Sequence, residues 1–177
     1  MLAEVGLITR HRSEGDRRRS YVALVRDALD TLTPTGALPA AERVVFVCTH
    51  NSARSQLAAA SWARLSPVPV ACAGTHPAAR VHPAAVAAGR RHGLRLGQAC
   101  TAHVDQVLAP ADLVVAVCDN AHEELDAGLS RLHWSIPDPV RVGTDEAFDA
   151  AYDEITRRIH ILTDAPQQPA APVLEEN

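Results

Sequence analysis

The chain has 177 residues, a formal net charge of −4 at pH 7 and 47% hydrophobic residues, enough to bury one modest core and short for two ordinary domains. The mildly acidic balance argues against nucleic acid as the main partner of the whole chain, and neither a membrane-spanning apolar run nor a signal peptide at Met1-Leu2-Ala3-Glu4 is present. Cys48, Cys72, Cys100 and Cys118 form no Cys-x2-Cys pair and the histidines lack the helical spacing of a metal pair, so the reading is a cytoplasmic thiol enzyme with no bound metal or cofactor.

Residues 1–33 read as an extension in front of the main domain. Leu2 to Ile8 is largely apolar, and Arg10 to Arg19 is Arg-rich around Glu14-Gly15-Asp16, a hairpin-turn sequence. Residues 34–42, with Pro34, Gly36 and Pro39, read as a linker. From 43 to 164 strands and helices alternate, which predicts an α/β domain: a four-stranded parallel sheet flanked by helices on both faces. Val44 to Val47 is the first apolar strand of that domain and Val68 to Ala73 the second. Pro83 to His92 reads as a helix that Gly93 stops. Leu113 to Val117 and Leu132 to Ser135 supply the third and fourth strands. Thr144 then caps a long amphipathic helix with Phe148, Ala151, Tyr152, Ile155, Ile159 and Leu162 at helical spacing. Residues 165–177, rich in Pro, Ala and Gln, read as a disordered tail.

The first strand runs into Cys48-Thr49-His50-Asn51-Ser52-Ala53-Arg54-Ser55, and the helical stretch Gln56 to Arg64 follows. A bare Cys-x5-Arg spacing is common in an Arg-rich chain, so the strand–loop–helix context carries the argument. A loop closing on a helix N-terminus points backbone N–H groups inward, where the helix dipole also favours anions. Such a site favours the thiolate form of Cys48. Arg54 can grip two oxygens of a tetrahedral oxyanion with its fork of donors. Residues 49–54 would form the cradle, and the Ser55 hydroxyl could hydrogen-bond the sulfur as nucleophile and as leaving group. In a doubly wound sheet ligands bind beyond the carboxyl ends of the strands. Cys48, Cys118 and Asp138 all follow strand ends and should share that side.

Val-Cys-Thr-His-Asn-Ser-Ala-Arg-Ser-Gln resembles the phosphate loop of the low-molecular-weight protein tyrosine phosphatases and their thiol-dependent arsenate reductase relatives. Ala73-Gly74-Thr75 with His82-Pro83-Ala84-Ala85, Asp112 to Asp119, and His133 to Pro139 resemble later signatures of that superfamily, in its order. The resemblance implies its fold and a general-acid role for Asp138, held between Pro137 and Pro139. Read without it, Asp138 is an ordinary carboxylate in a Pro-rich turn. Val140 stands where the phosphatases commonly have Tyr, and aromatics are few, with Trp134 beside the acid loop. Gln56, His133-Trp134 and Cys118 resemble the reductase side. There Cys118 would be a second redox cysteine, and the alternative is a small core residue. Relatives with a complete internal relay carry a third cysteine seven positions on, where this chain has Leu125.

The resemblance therefore implies arsenate reduction, with Cys48 attacking the oxyanion and a second thiol releasing arsenite. The alternative is a phosphatase acting on phosphate monoesters through a phosphocysteine. A third reading is a regulatory module that binds oxyanion and turns over little. The implied reductant is external: mycothiol or glutathione with a glutaredoxin-like protein, or thioredoxin. Leu2 to Ile8, Arg10 to Leu24 and Val25 to Leu32 are similar to the recognition-helix end, wing and closing helix of a winged-helix repressor of the arsenic-responsive family. Its upstream helices are missing, so the chain as written does not read as a DNA binder, and the alternative is an extension with no role.

Overall fold

The computed structural model describes residues 8–25, 38–39, 41–96, 99–164 and 167–168. The helix read over Val25 to Leu32, but for Val25, and the segment Leu2 to Leu7 lie outside the described residues, as does most of the linker and of the tail.

Strands β1 (Ile8–Arg12) and β2 (Ser20–Leu24) form an antiparallel hairpin, with Ile8 opposite Leu24 and Arg12 opposite Ser20. Its tip runs through Ser13, Glu14, Gly15 and Asp16, the stretch whose composition predicts a turn. Strand β3 (Leu38–Pro39) pairs in parallel with β8 (Gln167–Gln168), so a piece of the segment read as linker is bonded to a piece of the segment read as tail.

The main sheet contains β4 (Arg43–Cys48), β5 (Val70–Gly74), β6 (Asp112–Ala116) and β7 (Arg131–His133), all parallel, in the spatial order β5-β4-β6-β7. Val44, Val45, Phe46 and Val47 on the inner strand β4 are all buried, as expected of a strand covered on both faces. The chain leaves β4 toward β5 on one side and reaches β6 on the other. The strand order therefore reverses beside β4, and a crevice opens at the carboxyl ends of β4 and β6.

Helix α1 (Arg54–Leu65) packs on β4 and β5 and against α6 (Asp145–Asp164), whose Ala151, Ile155 and Ile159 join the main core. Thr144 caps α6 as its sequence predicts, with its Oγ1 accepting from Ala147 N at 3.3 Å. Helix α2 (Pro83–Arg91) ends before Gly93, which sits at φ +71°, a conformation open to a residue without Cβ. Three short helices follow no periodic signal: α3 (Val104–Val107), α4 (Asp119–Glu124) and α5 (Pro139–Val142). Their caps are His103, Cys118 and Asp138. Among the described residues no helix is long and apolar enough to cross a membrane.

Candidate active site

The loop between β4 and α1 is shaped by where its carbonyls go. The carbonyls of Cys48, Thr49, His50 and Ser52 accept from the N–H groups of Thr75, His76, Ala78 and His82, at 3.2, 2.8, 2.9 and 2.8 Å. A trans peptide holds its C=O and its N–H on opposite sides. Pinning these carbonyls against residues 75–82 therefore turns the N–H groups of Thr49, His50, Asn51 and Ala53 the other way, into the loop. Helix α1 begins at Arg54 behind Ala53, which offers no side-chain cap. That leaves the first-turn donors and the positive end of the helix for an anion.

Asn51 sits at φ +48°, a left-handed conformation that Asn tolerates better than most residues. Its side chain braces the loop: Nδ2 donates to Ser55 Oγ at 2.8 Å, and Oδ1 accepts from Ala102 N at 3.0 Å. Gln56, buried under the loop, donates to the Asn51 carbonyl at 3.1 Å and the Cys100 carbonyl at 3.0 Å. Gly74 is required by contact, because a Cβ there would stand 2.6 Å from Thr49 O and 2.9 Å from Asn51 N.

At the base of the loop Cys48 Sγ lies 3.1 Å from Ser55 Oγ. Arg54 is buried, donates from Nη1 to the Ile136 carbonyl at 2.9 Å and pairs through Nη2 with Asp138 Oδ2 at 3.4 Å. Burial acts against its charge, but the neighbouring Cys118 and Cys48 sulfurs and the Asp138 and Glu14 carboxylates outweigh it and push its pKa up. Asp138 caps α5, accepting from Val140 N at 3.2 Å, so one carboxylate oxygen is fixed by the backbone and the other faces Arg54.

Cys118 stands on the same wall. Its Sγ lies 3.5 Å from Thr49 Oγ1 and accepts from Ala121 N at 3.5 Å. Burial pushes the Cys118 thiol up, and the Arg54 charge only partly offsets this. The structure thus brings together Cys48, Thr49, Asn51, Ala53, Arg54, Ser55, Cys118 and Asp138. His50 is exposed and Ser52 half-buried. Trp134, adjacent in sequence to the acid loop, is a core residue: it is buried with its ring 5.6 Å from Phe46 and does not form an aromatic rim.

Two residues of the site carry no local signal in the sequence. Glu14, at the hairpin tip, places Oε2 3.5 Å from Arg54 Nη1, and its Oε1 accepts from Asp138 N at 3.4 Å. Asp119, directly after Cys118, accepts from Glu14 N at 2.8 Å and lies 3.0 Å from His133 Nε2. Burial works against the Asp119 carboxylate. Hydrogen bonds from His133, Ser135 and the Glu14 N–H prevail and hold it at about 2.

A model of the family described as low molecular weight phosphotyrosine protein phosphatase matches residues 43–169. The chain is 37% identical over 128 residues to an arsenate reductase of Halalkalibacterium halodurans, a match covering 66% of this chain and 91% of that protein. Among solved structures it is similar to an arsenate reductase from Archaeoglobus fulgidus, at 25% identity and a TM-score of 0.58, covering 68% of this chain and 99% of that one. A tyrosine phosphatase of Erwinia amylovora shares the fold at 17% identity and a TM-score of 0.62, over 73% of this chain and 95% of its own.

Proposed function

We propose that this chain, which belongs to the low molecular weight phosphotyrosine protein phosphatase family, reduces arsenate. It is an enzyme of that scaffold, and the observation favouring reduction over ester hydrolysis is Cys118. A second thiol hydrogen-bonded to the loop residue Thr49, close enough to Cys48 and Arg54 to feel their charges, has no task in hydrolysing a phosphate monoester. Relatives 30% to 37% identical are arsenate reductases.

In the first step the Cys48 sulfur attacks arsenic(V) held by the loop N–H groups and Arg54. An As–S bond forms, and an As–O bond breaks as Asp138 gives its proton to the departing hydroxyl, which leaves as water. In the second step another thiolate attacks Cys48 Sγ. An S–S bond forms, the As–S electron pair stays on arsenic, and arsenite leaves with arsenic reduced to the trivalent state. The two sulfurs are oxidised to a disulfide, and exchange with external thiols, which themselves end joined as a disulfide, returns Cys48 to its thiol.

Cys118 is the candidate for the second sulfur where no other thiol is present, but its burial keeps it in the thiol form at neutral pH. Leu125, where relatives with an internal relay have a third cysteine, is buried at the end of α4. Both facts favour an external low-molecular-weight thiol, mycothiol or glutathione with a glutaredoxin-like protein, over a thioredoxin-linked relay. Arsenite production from arsenate, with the thioredoxin, glutathione and mycothiol systems supplied separately and Cys48→Ser as control, tests the reading. Arsenite is expected with a low-molecular-weight thiol and absent in Cys48→Ser. Aryl-phosphate turnover that Cys48→Ser abolishes, with no arsenite under any donor, would overturn it and establish the phosphatase, for which Cys48, Arg54, Ser55 and Asp138 suffice.

A further inference from the structure

The β1–β2 hairpin is fastened to the main domain by its tip. Ser13, buried, donates from Oγ to Glu123 Oε1 at 2.6 Å, and Asp16 N donates to Glu123 Oε2 at 3.1 Å. Tyr21 OH donates to Glu123 Oε1 at 2.8 Å, and its ring meets His133 edge-on with centroids 4.5 Å apart. Glu14 N is held by Asp119, itself nearly fully buried. A charged acceptor and a buried acceptor thus fix three groups of the turn and the Tyr21 hydroxyl on β2.

The result is a carboxylate across the mouth of the site. Glu14 touches Arg54, which grips the anion, and Asp138, which serves the leaving group. Its side chain is 33% exposed, against 7% for Arg54 and 18% for Asp138, so it lies outermost of the three. With Asp138 serving the leaving group, an organic group departing past Asp138 would meet Glu14, which contacts both Asp138 and Arg54. The leaving group of free arsenate is a hydroxyl and needs no such space. Trp134 adds no aromatic surface that would reward a phenyl ring.

We infer that Glu14 is a specificity-determining residue: carried by the hairpin, it closes the leaving-group side of the loop to bulky esters and leaves the site to free tetrahedral oxyanions. The inference rests on the arsenate-reducing reading of the same site. The negative charge of Glu14 weakens every anion alike, so the selection is one of space.

Two substitutions separate charge from space. Glu14→Gln keeps the bulk and removes the charge, and Glu14→Ala removes both. Glu123→Ala removes the clasp and so releases the hairpin tip, with the Glu14 side chain itself unchanged. In the full chain, calorimetry would give the affinity for inorganic phosphate, p-nitrophenyl phosphate the esterase kcat/KM, and arsenite formation the reductase rate. Glu14→Gln is expected to raise phosphate affinity and kcat/KM in step, about threefold each, as for one partly screened charge. Glu14→Ala and Glu123→Ala are expected to raise kcat/KM about tenfold beyond any gain in phosphate affinity, the size of a relieved steric exclusion. An unchanged ratio of the two quantities in Glu14→Ala and Glu123→Ala, zero esterase turnover in every form included, overturns the inference. A changed ratio without arsenite in any form removes the reductase reading and leaves the selection by Glu14 standing.

Discussion

Ser55 Oγ stands 3.1 Å from Cys48 Sγ while accepting a hydrogen bond from Asn51 Nδ2 at 2.8 Å. The Asn51 amide cannot be turned round, because its Oδ1 is the acceptor for the Ala102 N–H. The serine hydrogen is therefore directed at the sulfur. That arrangement stabilises negative charge on Cys48 whenever sulfur is nucleophile or leaving group. Ser55→Ala is expected to slow turnover about tenfold to a hundredfold, within the range of a lost proton-handling group. Asn51→Ala frees the hydroxyl to rotate and adds about 1 kcal/mol of left-handed backbone strain. Rates of Cys48 alkylation by iodoacetamide check both: each variant should be slower than the native chain, and equal rates would refute the relay.

Gly74 is the second point at which the loop tolerates no change. Its Cβ would meet the backbone of Thr49 and Asn51, atoms that cannot move without opening the cradle. Gly74→Ala should lose about 1 to 3 kcal/mol of stability, as overpacked positions do, and should weaken phosphate binding more than the melting temperature suggests. Thermal unfolding with and without phosphate measures the two effects. A variant whose phosphate-induced stabilisation equals that of the native chain would count against the loop being shaped by this contact.

The loop and the sheet were legible because their signals are local. Cys48 and Arg54 are six residues apart on one turn, and Thr144 and Gly93 mark helix ends by short-range hydrogen bonding and backbone freedom. The parallel four-stranded sheet followed from alternation alone. What escaped were contacts across the fold. Glu14 is 40 residues from Arg54 in the chain, and nothing in an Arg-rich turn says that its one glutamate will dock against a distant guanidinium. Trp134 lies beside the acid loop in sequence, but proximity in the chain does not say which way its ring faces. The sheet buries it, since β7 ends at His133 and Trp134 N bonds the Ala116 carbonyl of β6. The short helices α3, α4 and α5 carry too few turns for a periodic pattern.

The buried position of Cys118 sets how turnover should depend on reductant. Burial holds its pKa above the ordinary thiol value, so its thiolate fraction is small at neutral pH and grows as pH rises. With a saturating low-molecular-weight thiol at neutral pH, Cys118→Ser should keep arsenite production within about threefold of native, because the attacking sulfur comes from outside. Without added thiol, one arsenite per chain should form in the native protein, faster at higher pH, and none in Cys118→Ser. A large loss in the variant under saturating thiol would show instead that Cys118 resolves Cys48 in every cycle.

The clasp that holds the hairpin should loosen in acid, in two stages. His122 stacks on His133 with centroids 4.0 Å apart, and Tyr21 packs its edge against both rings. Burial, then the charges of His133 and Arg131, push His122 down to about 4 from 6.5, against opposing effects of Glu123 and Asp119. The folded chain thus binds fewer protons than the unfolded chain over that window, and linkage makes stability rise with pH wherever that holds. Stability should be full above pH 6.5, fall as the pH drops toward about 4, and fall again between 3.8 and about 2 as Asp119 is protonated. His122→Asn should flatten the first stage and leave the second. Melting temperatures across pH 2 to 8, read beside amide exchange of Glu14 and Asp16, test this. An unchanged slope between pH 6.5 and 4 in His122→Asn would show that another group drives the acid release.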